Sequence, residues 1–260
     1  MMPKKGVREG EVNVYSTKGK VVKTIKLPDV FMTDIRLDLI RRAVVSAQAN
    51  RRQSYGPTER SGMRHAVSTW GKGRGVSRVQ RISGERTAAQ SPGTVGGRRA
   101  HPPRPGHDWS KKINKKEKRM AKASALAATK NADFVSQRGH IFDDEVTLPI
   151  VVEDDVELIE TTKEAIELLQ SLKVYDDVVR ATKRKIRAGR GKMRARKYRQ
   201  RRSILVALSS NSESSRAFQN LPGVDVYTTK LLNAEHLAPG GQPGRLAMFS
   251  ESAIEELRAW

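Results

Sequence analysis

A three-layer α/β domain with a mainly parallel central sheet, interrupted by one long extended basic loop, is predicted by three features of the sequence. Two strand-length apolar runs, LPIVV at 148–152 and SILVAL from Ser203 to Leu208, lack polar alternation, as in strands covered on both faces. These runs alternate with amphipathic helical stretches, the order of a layered domain with parallel strands. Between Asn50 and Trp109 the apolar residues are scattered while glycine, proline and arginine accumulate. The expected organisation is therefore a globular domain of residues 1–49 and 110–260, with residues 50–109 an extended loop inserted in it.

From the N-terminus, Glu11–Ser16 and Lys20–Leu27 alternate around Thr17-Lys18-Gly19 and predict a hairpin, with Val12, Val14, Val21, Ile25 and Leu27 turned inward. Pro28 ends it. Apolar spacing from Ile35 to Ala47 predicts a helix over 36–49 with Asp34 as its cap. After the loop, Asn114 and Glu117 have the spacing of a capping box before a helix striped by Met120, Ala123, Leu126 and Ala127. A short helix follows at 132–137. Thr161 and Glu164 form a second capping box, and helical spacing continues from Val174 to Ile186. Val224–Tyr227 and Leu246–Phe249 are further strands, with a helix at 213–219 and a last one at 252–260, boxed by Ser252 and Glu255.

The chain has 50 Lys and Arg against 28 Asp and Glu, a formal net charge of +22. That excess points to a polyanion, nucleic acid first. No run reaches transmembrane length and no basic face opposes a broad apolar one, so a membrane partner is not expected. Cysteine is absent, which excludes disulfides and thiolate metal sites. The N-terminal MMPKKGVREG lacks the apolar core of a secretory signal.

Two stretches concentrate the charge. In the loop, Arg51, Arg52, Arg64, Lys72, Arg74, Arg78, Arg81, Arg98, Arg99 and Arg104 are joined by Trp70 and His101 and followed by Lys111, Lys112, Lys115 and Lys116. Arginine clamps phosphate, aromatic rings stack on unpaired bases, and glycine lets the backbone approach a crowded surface. Composition alone would also suit a solvated, disordered insertion. The second stretch, 183–202, holds Lys185, Arg187, Arg190, Lys192, Arg194, Arg196, Lys197 and Arg199 with no acid among them. It reads as a second phosphate-contact surface, with a merely solvated charged face as the blander alternative.

Catalytic constellations are missing. Neither Gly71-Lys72-Gly73 nor Gly191-Lys192-Met193 has the Ser or Thr of a phosphate loop, the histidines lack metal-ligand spacing, and adjacent carboxylates such as Asp176-Asp177 diverge on a helix. Neither enzymatic activity nor a cofactor is expected.

Several motifs together resemble one family. Asp38-Leu39-Ile40-Arg41-Arg42-Ala43-Val44, Asn50-Arg51-Arg52-Gln53, Trp70-Gly71-Lys72-Gly73-Arg74-Gly75, Gly96-Gly97-Arg98-Arg99-Ala100-His101-Pro102-Pro103, Lys112-Ile113-Asn114-Lys115-Lys116-Glu117 and Pro243-Gly244-Arg245-Leu246 look like the large-subunit ribosomal protein L-four family, archaeal type. The resemblance covers nearly the whole chain in order. It implies a cytoplasmic place in the large ribosomal subunit, with large-subunit ribosomal RNA and neighbouring ribosomal proteins as partners. It also implies a loop tip at Arg64, Trp70, Gly71, Lys72, Gly73 and Arg74 that reaches the wall of the peptide exit tunnel, near the nascent polypeptide. The longer N-terminus departs from the family pattern and carries no assigned role. A non-ribosomal basic RNA chaperone and an RNA-modifying α/β enzyme are the rival readings.

Overall fold

The computed structural model describes residues 10–210 and 213–259. Most of the N-terminal MMPKKGVREG, and Trp260 at the end of the expected last helix, lie outside them. In chain order the elements are β1 (Glu11–Tyr15), β2 (Val21–Lys26), α1 (Leu37–Asn50), β3 (Val67–Ser68), β4 (Arg81–Ile82), α2 (Lys115–Lys130), α3 (Ala132–Gln137), β5 (Ile150–Val152), α4 (Thr162–Ser171), α5 (Tyr175–Thr182), β6 (Lys185–Ile186), β7 (Tyr198–Arg199), β8 (Leu205–Leu208), α6 (Ser214–Gln219), β9 (Asp225–Thr228), α7 (Ala234–Leu237), β10 (Ala247–Ser250) and α8 (Glu251–Arg258). Two units result: Ala49–Lys111, and the described residues up to Gln48 together with those from Lys112 onward.

The larger unit is built on a six-stranded sheet of order β2-β1-β5-β10-β8-β9. β1 and β2 are antiparallel, and the remaining neighbours are parallel. Side chains along a strand alternate between faces, and here both sets are buried. Ile150, Val152, Val206, Leu208, Val226 and Met248 enter one core with Leu168, Leu169, Val178 and Phe218 of α4, α5 and α6. Val12, Val14, Val151, Leu205, Ala207 and Phe249 enter the other with Ile40, Leu126, Leu237 and Ile254 of α1, α2, α7 and α8. Three layers follow from that split, as the uninterrupted apolar runs predict.

Several local expectations need correction. Val21 is half exposed, because β2 is the sheet's edge and only its Leu27 end is covered. Asp34 does not cap α1, which begins three residues later; its carbonyl accepts a hydrogen bond from Ser124 instead (2.8 Å). Asn114 occupies the N-cap of α2 without a side-chain hydrogen bond, and Glu117 turns to Arg42 (3.0 Å), so no capping box forms. Met120 is exposed. Thr161 does cap α4, accepting from the Glu164 N–H (3.3 Å). The helix expected over 174–186 stops at Thr182, because Ala181 is its last buried apolar residue and consecutive cations follow. The last helix is capped by Ser250, which accepts from the Ala253 N–H, while Ser252 bonds the Asp154 carboxylate. α7, capped by Asn233, has no counterpart among the sequence expectations.

Candidate nucleic-acid interface

Within Ala49–Lys111, Ala89 is the only buried hydrophobic residue, so apolar burial does not hold this unit together. Turns, polar contacts and ring contacts do. Near its two ends the Arg52 guanidinium lies 3.9 Å from the Trp109 ring centre, Tyr55 stacks beside Trp109 at 6.0 Å, and His107 meets Trp109 edge-on at 4.5 Å. Such cation–ring contacts contribute about 0.5–1 kcal/mol each at exposed sites. The Asn50 side chain accepts from the Lys111 N–H (2.8 Å). Further along, two stretches of backbone approach so closely at Gly62 that a Cβ there would lie 2.6 Å from the Arg98 nitrogen.

β3 and β4 pair as a two-residue ribbon, Val67 opposite Ile82 and Ser68 opposite Arg81. Their connection holds Trp70, Gly71, Lys72, Gly73 and Arg74, whereas Arg64 precedes β3. Gly71, Gly73 and Gly75 have φ between 67° and 77°, and a Cβ at any of them would meet nothing within 4 Å. These glycines serve backbone conformation there, with no crowding inside the unit to explain them. Arg81 differs from its neighbours: it faces Trp70 at 5.6 Å and donates to Ser77 and Arg86. Lys72, Arg74, Arg78, Arg99, His101 and Arg104 are exposed, and Arg98 is half-buried.

The 183–202 stretch is a second ribbon, on the larger unit. β6 and β7 pair antiparallel, and the Arg187 N–H and Nε donate to the Lys197 and Arg196 carbonyls (2.8 and 3.1 Å). Its turn is a 3-10 segment, Arg190–Met193, entered through Gly189 at φ 77°. Lys185, Arg190, Lys192, Arg194, Arg196, Lys197 and Arg199 are all solvent-exposed. On α2, Lys115 and Lys116 occupy the first turn, where the helix dipole disfavours cations.

A model of the Ribosomal protein L4/L1 family matches residues 25–260. The chain belongs to this family. It is similar to proteins called large ribosomal subunit protein uL4 in Archaeoglobus fulgidus (47% identity; 96% of this chain and 99% of the relative) and Methanococcoides burtonii (50%; 94% and 96%). The relative of that name in Methanopyrus kandleri is 44% identical over 95% of this chain and 97% of its own.

One of the motifs that carries the family likeness is buried. Arg245 is 1% exposed, donates to the Ser203 and His236 carbonyls (both 3.0 Å) and pairs with Asp225 (2.7 Å). Gly244, at φ 87°, lets the chain pass Phe134, whose carbonyl oxygen would lie 2.4 Å from a Cβ. Pro243-Gly244-Arg245-Leu246 is therefore a structural lock at the start of β10.

Asp177, read from sequence only as half of a diverging carboxylate pair, is buried in a hydrogen-bonded cluster. Its fully buried carboxylate accepts from Ser203 Oγ (2.6 Å), Arg180 Nε (2.9 Å) and the Ile141 N–H (2.9 Å), with His140 Nδ1 at 3.0 Å. Burial alone would raise its pKa, but the hydrogen bonds from His140, Arg180 and Ser203 bring it down to about 2. The three residue types of a hydrolase triad are present in the wrong connectivity: Ser203 bonds the carboxylate instead of the imidazole and is wholly buried. Arg180 reaches on to the Arg202 carbonyl (2.9 Å), tying the basic ribbon's root to the body. At the C-terminal ends of β8 and β10, Glu157 accepts from Ser209, Ser210 and Ser250. Burial opposes its ionisation, yet these donors hold it below the usual carboxylate range, unsuited to act as a general base near neutrality.

Proposed function

We propose that this chain is a structural, non-catalytic constituent of the large ribosomal subunit in the cytoplasm. It binds large-subunit ribosomal RNA through residues 50–109, Lys111–Lys116 and the β6–β7 ribbon, beside other proteins of the subunit. The carrying observation is the state of the cations. Among the described residues, Arg64, Lys72, Arg74, Arg78, Arg98, Arg99 and Arg104 are joined to no carboxylate, whereas Arg36, Arg42, Arg180, Arg202 and Arg245 of the larger unit each pair with one. Phosphates would neutralise them and would also offset the unfavourable placement of Lys115 and Lys116 at the head of α2.

The names of the family relatives support the same assignment. Trp70–Arg74 forms the tip that lines the exit tunnel beside the nascent polypeptide. Its open glycines and exposed Lys72 and Arg74 suit packing against RNA.

Two measurements test this. The chain should stay with purified large subunits through a high-salt wash, and its binding to a large-subunit RNA transcript should weaken steeply with salt, by about 0.7–0.9 in the log–log slope per phosphate neutralised. Lys72→Ala with Arg74→Ala should change chemical protection of the tunnel RNA while leaving the thermal melt of the free protein in place. Unchanged protection would refute the tip assignment; loss from washed subunits would refute the ribosomal one.

A further inference from the structure

The β6–β7 ribbon carries more than charge. Ile186 and Tyr198 stand directly opposite one another across its two strands, so their side chains share one face, while Lys185 and Arg199 oppose one another at the adjacent pair. That face is open: Ile186 is 65% and Tyr198 51% exposed, and Met193 in the turn is 82% exposed. None of the three enters either core. Three large apolar side chains on so small a ribbon are out of keeping with stretches whose only task is to hold cations in water. An aromatic ring held on a β-ribbon and surrounded by cations is what a base needs: a flat surface for stacking, with positive groups for the phosphates on either side.

The charge decides the class of occupant. Twelve Lys and Arg and no Asp or Glu lie between Lys183 and Arg202, which favours RNA over a protein surface. Bases inside an A-form helix are covered by their neighbours, so the occupant must be an unpaired one. We propose that Tyr198, with Ile186 beside it on the ribbon's open face, seats one unpaired base of the bound RNA, while Lys185 and Arg199, which project from the opposite face, take phosphates of the same RNA. This rests on the RNA-binding reading above. It adds a base-stacking contact where charge alone indicates phosphate contacts. The Lys197 ammonium lies over one face of the Tyr198 ring, 5.5 Å from its centre, a cation held against that face.

Stacking and charge neutralisation separate by their salt dependence. Binding of the full-length chain to a large-subunit RNA transcript would be measured across a KCl series for the unaltered protein, Tyr198→Ala, Tyr198→Phe and Arg199→Ala. Tyr198→Ala is expected to weaken binding about tenfold at every salt concentration with the slope unchanged, and Tyr198→Phe to stay within about twofold of the unaltered chain. Arg199→Ala should lower the slope by about one phosphate equivalent. Because Tyr198 is exposed, all variants should melt with the unaltered protein. Unaltered affinity in Tyr198→Ala, a loss in Tyr198→Phe equal to that of alanine, or a slope change in Tyr198→Ala would overturn the stacking seat while leaving RNA binding standing. Absence of salt-dependent binding in the unaltered chain would overturn the RNA reading and the seat with it.

Discussion

Replacing Arg245 by alanine should cost this fold more than any single change among the exposed cations. The guanidinium is buried and joins β10 to three other places: the carbonyl of Ser203 before β8, the carbonyl of His236 in α7, and the Asp225 carboxylate on β9. Two further contacts, to the Ile204 and Gly223 carbonyls at 3.4 Å, are long enough to add little. Burial pushes the guanidinium pKa down and Asp225 pushes it back up; an arginine stays charged in either case. Truncation would strand the carbonyls and leave the Asp225 carboxylate with Arg202 alone. Removing one partner of a buried pair typically costs about 3–5 kcal/mol. Asp225 keeps Arg202 and is partly exposed, so the lower half of that range, about 3–4 kcal/mol, is expected here. In urea, with a slope of about 2–3 kcal/mol per molar, the midpoint followed by far-ultraviolet circular dichroism should fall by about 1–2 M with an unchanged slope. Arg245→Lys should recover less than half of this, since an ammonium cannot span the same acceptors. A midpoint shift below about 0.5 M, or full rescue by lysine, would refute the lock.

Acid should destabilise the protein in two stages. The folded pKa of His140 is held below its unfolded value chiefly by burial, so the unfolded chain binds that proton more readily and stability falls as pH drops below about 6.5. Asp177, near 2 when folded, contributes roughly 2 kcal/mol that is present above its unfolded pKa of about 3.9 and lost as pH falls from there toward 2. Asp177→Asn should abolish the lower stage in a pH series of urea midpoints; an unaltered lower stage would contradict the account. Gly244→Ala should destabilise by more than about 2 kcal/mol, combining left-handed strain with a backbone clash, whereas Gly73→Ala should cost only about 1 kcal/mol of strain because its surroundings are open. Thermal melts of both variants compare them directly, and equal losses would refute the distinction. Thr161→Ala should cost about 1 kcal/mol through the lost cap on α4, while Asn114→Ala should lie within about 0.5 kcal/mol of the parent, having no cap bond to lose. The same melts would show it, and a larger loss at Asn114 would be the contrary result.

Legibility followed the range of the interaction. LPIVV and SILVAL announced covered strands because burial on both faces removes every polar position from a run, whatever the partner. Thr161 was readable because its acceptor and the N–H it caps are three residues apart. Ser252 and Asn114 have the same local spacing and failed, as Asp154 captured the first and Arg42 drew Glu117 from the second. The stretch 183–186 continues a helical apolar spacing, but its only apolar member, Ile186, has no core to enter and pairs instead with Tyr198.

By itself, then, the amino-acid order determined a layered α/β body, the long glycine-rich insertion and a charge that calls for a polyanion, since burial patterning and net charge are summed along the chain without regard to who touches whom. Only the tertiary structure decided which cations are buried fasteners and which stay in solvent. Arg245 and Arg180 look no different in sequence from Arg199. The fold buries the first and holds the second against Asp177, within reach of carboxylates and carbonyls 3 to 42 residues away, and leaves the third in water. That choice rests on desolvation, which a residue's own neighbours in sequence do not set.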